Sequence, residues 1–362
     1  MINADRIVKN FINLTEFDSE SGHEQEIGKY LLQKLQELGL STEIDEVGNI
    51  YGILPGDDSI APVLFSAHQD TVAPGIGKKA IVHEDGTITS DGNTVLGSDD
   101  ISGIVSILEM FEVIKEDKLK HGDIEVVFSV SEETFCQGIK KFDFPKIKSK
   151  RAYTLDLSGA IGTAAVAAPS ILTINIDIHG KAAHSGFAPE QGIHSIKIAA
   201  AAIYGIENGR IDEETTVNFG IISGGTAPNI VPESVKVSGE VRSMNHEKAL
   251  EQANGIISIF ESKAKEYGGS ISSDIIVHIK AYRTDEHSDT VLAYKKACER
   301  LGIETVITDT FGGSDNNVFA NNGIEGIVIS CGMNNVHTKD EFTTVSQLVD
   351  SSRVVVELVT QK

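Results

Sequence analysis

Residues 124–130, Ile-Glu-Val-Val-Phe-Ser-Val, make a near-continuous apolar run, and this run constrains the chain more than any other segment. A strand covered on one face alternates apolar with polar residues, whereas an unbroken apolar strand must be covered on both. The cover is legible around it. Ile7, Val8, Phe11 and Ile12 recur at helical spacing over residues 4–16, and Ile104, Leu108 and Phe111 do so over 101–115. Ser21-Gly-His-Glu24 reads as a capping box that opens a further helix burying Ile27, Leu31, Leu35 and Leu38, with Gly39 as its stop. Short β-type runs lie at 41–47, 50–54, 62–67 and 152–155, and a Gly/Asp/Thr-rich stretch, 84–100, reads as loop and hairpin. The expected class is α/β, a mixed, mostly parallel sheet flanked by helices.

The pattern changes at about residue 169. Strands are predicted at 171–179, 216–222, 234–242 and 270–279, with helices at 192–205 and 246–267. That order, β-α-β-β-α-β, is a split unit with an antiparallel sheet. The first pattern then returns, as a helix at 288–301, a strand at 304–308, a short helix at 315–322, a strand at 327–331 and a last helix at 345–359. The chain therefore reads as one domain, 1–168 with 281–362, carrying an inserted α+β domain, 169–280.

Charge narrows the function. With 31 Lys+Arg against 53 Asp+Glu, the net charge of −22 argues against nucleic acid and against anionic membrane surfaces. No apolar run has the length of a membrane-crossing helix, and the first residues lead into an amphipathic helix without a signal-peptide pattern. Cys136, Cys298 and Cys331 are far apart and odd in number, which suits reduced thiols and a cytoplasmic protein. Cys136 lies close to the residues discussed next and is read as a spectator.

Four of the β-type runs are followed by residues that bind metal ions. His68 and Asp70 follow 62–67, Glu132 and Glu133 follow 124–130, Asp156 ends 152–155, and His337 follows 327–331 after a Gly-Met-Asn-Asn turn. Asp99 and Asp100 lie between a Gly-rich loop and a helix. In open α/β sheets the carboxyl edge of the strands is where ligands bind. A carboxylate has two oxygens and can bridge two cations, and one Glu of an adjacent pair can ligate while the other acts as a base. Each pair taken singly has an ordinary structural reading: a loop hydrogen bond for His-x-Asp, a helix cap for Asp99-Asp100, solvated charge for Glu132-Glu133. Their convergence on one expected edge points to a two-metal hydrolase. Neither a Gly-x-Ser-x-Gly elbow nor a phosphate-binding loop is present, since the Gly-rich run 312–315 lacks the Lys that such a loop needs.

Over essentially its whole length the chain resembles the M20 metallopeptidase family, in its peptidase T-like, tripeptidase-type branch. His68-Gln-Asp70-Thr-Val, Asp91-Gly-Asn-Thr-Val-Leu-Gly-Ser-Asp99-Asp100-Ile-Ser-Gly103 and Glu132-Glu133 are similar to its motifs, although Ile101-Ser102 stands where the branch usually has Lys-Ala. The resemblance implies one divalent ion on His68, Asp99 and Asp156 and another on Asp99, Glu133 and His337. Asp99, rather than Asp100, would then be the bridge. It implies that Asp70 holds His68 and that Glu132 is the general base. Zinc is the expected metal, with cobalt or manganese as alternatives. Gly180-x-x-x-His184, Thr226-Ala-Pro-Asn229 and Gly239-Glu-Val-Arg242 resemble substrate-binding segments of the family's lid, which often also forms a homodimer, and Gly312-Gly313 resembles a main-chain substrate wall. The implied activity is hydrolysis of short peptides, as by a tripeptide aminopeptidase. N-acyl amino acid deacylases and carboxypeptidases of the same family share this machinery, and a non-catalytic peptide-binding relative is the reading from another class.

Overall fold

The computed structural model describes residues 1–360. They divide into two compact units: residues 1–167 with 283–310 and 314–360, and residues 168–282 with 311–313.

The first unit opens with helix α1 (Ala4–Thr15), whose N-cap Asn3 accepts a hydrogen bond from the Arg6 amide. Helix α2 (Gln25–Glu37) follows, but without the capping box expected at residues 21–24. Both side chains of that motif have distant partners instead. Ser21 Oγ donates to Asp70 at 2.7 Å, and Glu24 accepts from the Ser131 amide at 2.9 Å. The chain continues through β1 (Ser41–Ile44), β2 (Ile50–Leu54), β3 (Val63–His68), α3 (Ser98–Asp117), β4 (Ile124–Ser129), β5 (Arg151–Leu157) and β6 (Thr163–Ala168).

The second unit is a β-α-β-β-α-β arrangement: β7 (Ser170–His179), α4 (Ser195–Tyr204), β8 (Thr215–Gly224), β9 (Ser234–Ser243), α5 (His246–Glu266) and β10 (Ser270–Ile279). Its sheet runs β8-β9-β7-β10, antiparallel throughout, with a two-residue strand, Gly209–Arg210, beside β8. Burial alternates along β7, so that Leu172, Ile174, Ile176 and Ile178 pack with Ile198 and Ala202 of α4 and with Ile256 and Phe260 of α5. Period-2 burial on the sheet and 3.6-residue burial on the helices make a two-layer core.

The return to the first unit brings α6 (Asp289–Leu301), β11 (Val306–Asp309), α7 (Asp315–Asn321), β12 (Glu325–Ser330) and α8 (Val345–Val359). Its sheet has the order β1-β2-β4-β3-β5-β12-β6, with β11 beside β6. The four strands β4, β3, β5 and β12 are parallel to one another, so their carboxyl ends lie on one edge. His68 at the end of β3 is in register with Ser129 at the end of β4.

The sheet is buried as the apolar run predicts. Every residue of β3 and of β4 is buried, and Phe65 of β3 stacks on Tyr153 of β5 with ring centroids 5.7 Å apart. Glu125 is the exception within the run. It is fully buried and satisfied by the Tyr51 hydroxyl at 2.5 Å and the Ser149 amide at 2.7 Å. Helix α3 reaches the strand edge closely at Gly103, where a Cβ would lie 2.6 Å from the Leu155 carbonyl oxygen and 2.4 Å from Asp100 Oδ1. Glycine is what allows that approach.

Candidate metal centre

Strand β3 delivers His68 to the carboxyl edge. Its Nδ1 lies 2.9 Å from the Asp70 carbonyl oxygen and 3.5 Å from Asp70 Oδ1. Nδ1, facing an acceptor, carries a proton, and Nε2 is the nitrogen turned toward the site. Nε2 faces Asp99 Oδ1 at 3.0 Å and Asp156 Oδ1 at 3.9 Å.

Asp70, expected to hold His68, makes its nearer contact with the imidazole through its backbone carbonyl. Its carboxylate has a second task. Oδ1 accepts from the Glu132 amide at 2.9 Å, and Oδ2 from the Glu133 amide at 3.1 Å and from Ser21 Oγ. Burial would raise the Asp70 carboxyl, but His68 and these donors outweigh it and hold the group below the usual range.

The pair Glu132-Glu133 does not continue the strand. Strand β4 ends at Ser129, and Ser131 turns the chain with φ of 53°. The two carboxylates diverge because of this turn and not by the alternation of an extended strand. Glu133 lies 3.0 Å from His337 Nε2, whereas Glu132 lies 3.3 Å from Cys136 Sγ.

Asp99 sits where α3 begins, and the Asp99–Asp100 peptide bond is cis. Its two oxygens face two different imidazoles, Oδ1 toward His68 and Oδ2 toward His337 Nε2 at 3.2 Å. Contacts with His337 and His68 overcome burial and hold this carboxyl far below the usual range. Asp100 is engaged elsewhere, accepting from the His68 and Gly103 amides at 3.1 Å each.

Two groups result, His68–Asp99–Asp156 and Asp99–Glu133–His337, and within each the ligand-type atoms lie within 4.8 Å of one another. Their donor atoms, one imidazole nitrogen and carboxylate oxygens per group, suit borderline to hard divalent cations. The electrostatics also fit. Burial, then Glu132 and Asp99, push the Asp156 carboxyl well above its usual range, and burial, then Asp99, raise Glu133. Buried carboxylates that crowd each other in this way need compensating positive charge.

Sequence reading missed one carboxylate that shapes the centre. Glu341, 1% exposed, accepts from the Gly97 amide at 2.7 Å, Ser98 Oγ at 2.8 Å and the Asp99 amide at 3.0 Å. It fixes the loop that presents Asp99. Glu341→Gln places an amide NH₂ against these donors, and it is expected to weaken metal affinity by about 10–100-fold with the fold intact, as chelator competition would measure.

Proton release offers a further check. Contacts with Asp99 and Glu133 raise His337 to about 10, and Asp70 and Asp99 hold His68 well above its ordinary value although burial opposes this. At pH 7, below the His337 value, the metal-free protein carries that imidazole protonated, while a ligating imidazole must be neutral. Loading should therefore release a proton from His337, and affinity should fall as pH is lowered. Calorimetric titration in buffers of differing ionisation enthalpy reads the number directly.

The remaining expected residues all belong to the second unit. His184 is exposed, packs on Phe187 with centroids 4.3 Å apart and accepts from the Gly186 amide at 3.1 Å. Asn229 is exposed, and its carbonyl accepts from the Ser185 amide at 3.0 Å. Arg242 pairs with Glu240 at 2.6 Å and donates to the Phe311 carbonyl at 2.9 Å. Gly312 is exposed, and Gly313 packs so closely on Ile279 that a Cβ would lie 2.1 Å from its Cδ1.

A parallel-stranded edge bearing two carboxylate–imidazole groups with one shared Asp defines a metal-dependent hydrolase. A peptidase dimerisation domain matches residues 166–268, and peptidase family M28 matches residues 49–181. The aminopeptidase PepT of Bacillus cereus is 38% identical, covers 99% of this chain and 98% of its own, and superimposes with a TM-score of 0.93. A tripeptidase of Staphylococcus aureus is 32% identical over 99% and 98% of the two chains, with a TM-score of 0.96. Peptidase T of Fusobacterium nucleatum is 28% identical over 93% of this chain and 90% of its own. The chain belongs to the M20 metallopeptidases, in their peptidase T-like branch. Among the described residues no helix is long and apolar enough to cross a membrane.

Proposed function

We propose that this protein is a cytoplasmic dinuclear zinc aminopeptidase that removes the N-terminal residue of free tripeptides and works as a homodimer through its second unit. The observation that carries the reading is Asp99, whose two oxygens serve two separate ligand groups beside a carboxylate, Glu132, that belongs to neither of them. Support for the substrate class comes from the 38% identity to PepT and the 32% identity to the tripeptidase.

His68, Asp99 and Asp156 would hold one cation, and Asp99, Glu133 and His337 the other. Bound there, the cations would supply Lewis acidity for the scissile carbonyl and for an attacking water. Glu132 takes that water's proton and delivers it to the leaving amine. Burial, reinforced by Asp315, Glu133 and Asp70, keeps the Glu132 carboxyl well above the usual range, which suits a group that must accept and return a proton near neutrality. Asp70 sets the position of Glu132 through its amide. His184, Asn229, Arg242, Gly312 and Gly313 are proposed to bind the peptide, on the strength of the lid and wall motifs they occupy.

The test is a panel of one dipeptide, one free tripeptide, one N-blocked tripeptide and one N-acetyl amino acid, with added Zn²⁺ or chelator. Chelator-sensitive cleavage of the free tripeptide alone is expected. Preference for the blocked or acetylated compounds would move the activity to a carboxypeptidase or deacylase on the same metal site.

A further inference from the structure

A third group of ligand-type side chains includes Glu132 and shares no residue with the two groups already described. Glu132, Cys136 and Asp315 bring a carboxylate oxygen, a thiol sulfur and a second carboxylate oxygen within 4.8 Å of one another. The turn that follows Glu133 makes this possible. Phe135 and Cys136 both have positive φ, 66° and 57°, and the Cys136 amide donates to the Glu132 carbonyl at 2.7 Å, which folds the thiol back onto the carboxylate four residues earlier. Asp315 arrives independently, as the first residue of α7.

Asp315 is what marks this as more than a buried thiol beside an acid. It is 2% exposed, and neither of its carboxylate oxygens makes a hydrogen bond of ordinary length. The groups that favour its charged form include the Ser129 hydroxyl and the Cys136 thiol. An ordinary structural carboxylate in this position would be satisfied, as Glu125 and Glu341 are, because a buried charged acceptor left unmet is costly. All three side chains are buried.

We propose that Glu132, Cys136 and Asp315 form a third cation site, selective for borderline-to-soft divalent ions such as Zn²⁺ and Cd²⁺, that fills after the catalytic pair and inhibits by taking Glu132 out of service. The selectivity follows from the donors. A thiolate favours Zn²⁺ or Cd²⁺ over Mg²⁺, Ca²⁺ and Mn²⁺, whereas the two catalytic groups offer only nitrogen and oxygen. On binding, the sulfur–metal bond replaces the S–H bond, and the thiol proton leaves to solvent. The inhibition, though not the site itself, rests on Glu132 being the general base. Cys136 thereby changes from a spectator into the ligand that sets the metal preference.

The experiment is a Cd²⁺ titration of enzyme already loaded with two equivalents of Zn²⁺, following both the ultraviolet thiolate-to-Cd²⁺ charge-transfer band and tripeptide turnover. The expected result is one band that grows as turnover falls. Cys136→Ser is expected to keep basal turnover and lose the band, with the inhibitory Cd²⁺ concentration raised about tenfold or more. Asp315→Asn keeps the thiol and should retain the band at about tenfold weaker affinity, which preserves the test if the first variant misfolds. Cys298 and Cys331 remain in both variants and cancel in the comparison. Absence of the band, or an equal band in Cys136→Ser, overturns the site. A band that depends on Cys136 while turnover stays complete upholds the site and instead removes Glu132 from the role of base.

Discussion

Glu132→Gln is expected to lower kcat for a free tripeptide by about 10²–10⁴-fold, with both catalytic metal ions retained and KM little changed. Glutamine keeps the volume and one acceptor oxygen but cannot take a proton, so the loss isolates proton transfer from packing. In free energy this is about 3–5 kcal/mol of transition-state stabilisation. Metal content should hold at two ions per chain because Glu132 is in neither metal group. Its backbone should also stay in place, because Asp70 anchors the Glu132 and Glu133 amides and the substitution leaves both donors intact. Steady-state kinetics with elemental analysis of the same sample checks both halves. Turnover close to that of the unsubstituted enzyme would place the base elsewhere, and a fall in metal content would make Glu132 a ligand.

What could be read in advance has a common physical character. The strands β3, β4 and β12 announce themselves as apolar runs, and the residues the structure gathers at their ends, His68, Glu132, Glu133 and His337, stand out because polar groups rarely follow such runs in a cluster. Helix α8 was legible to the residue, because its apolar spacing carries a full amphipathic face. Strand β6 went unread. Its sequence, Thr-Ala-Ala-Val-Ala-Ala, is mostly alanine, with Thr163 and Val166 as its β-branched residues and no aromatic one, and it is a strand because Thr163–Ala168 can pair with β11 on one side and β12 on the other. The three-stranded sheet of Ile81–Val82, Thr87–Thr89 and Phe342–Thr344 was missed for a related reason, since strands this short show no periodicity. Ser21 and Glu24 were misread because their pattern is that of a local cap, while their partners, Asp70 and Ser131, are 49 and 107 residues away. Glu341 was invisible for the same reason, with donors 242–244 residues distant. The ligand types that face the centre were therefore readable one strand at a time, whereas the residues that brace them depend on distant pairings. The one available hint was that Glu341 lies four residues beyond His337, on the loop that carries it.

Asp99→Asn should have the second large effect, and its signature differs from that of Glu132→Gln. Asp99 is the residue common to the two metal groups, with one oxygen toward each imidazole. Asparagine keeps the shape but removes the negative charge and puts an NH₂ donor where one of the two ligand oxygens stood. Both ions lose a ligand at once, and the attraction that offsets their mutual repulsion weakens. Metal content is therefore expected to fall below one ion per chain after dialysis, with turnover down by about 10⁴-fold or more. Asp156→Asn and His337→Asn each touch one group and should leave about one tightly held ion, so the three variants together separate a bridge from a terminal ligand. The neighbouring carboxylate supplies the contrast. Asp100 has its oxygens on the His68 and Gly103 amides, which are contacts an Asn side chain can keep only in part. Asp100→Asn should thus loosen the start of α3 and lower thermal stability, while the protein still takes up two ions at saturating metal. If Asp99→Asn were to hold two ions and Asp100→Asn none, the bridge would belong to Asp100, and the metal groups would have to be redrawn around it.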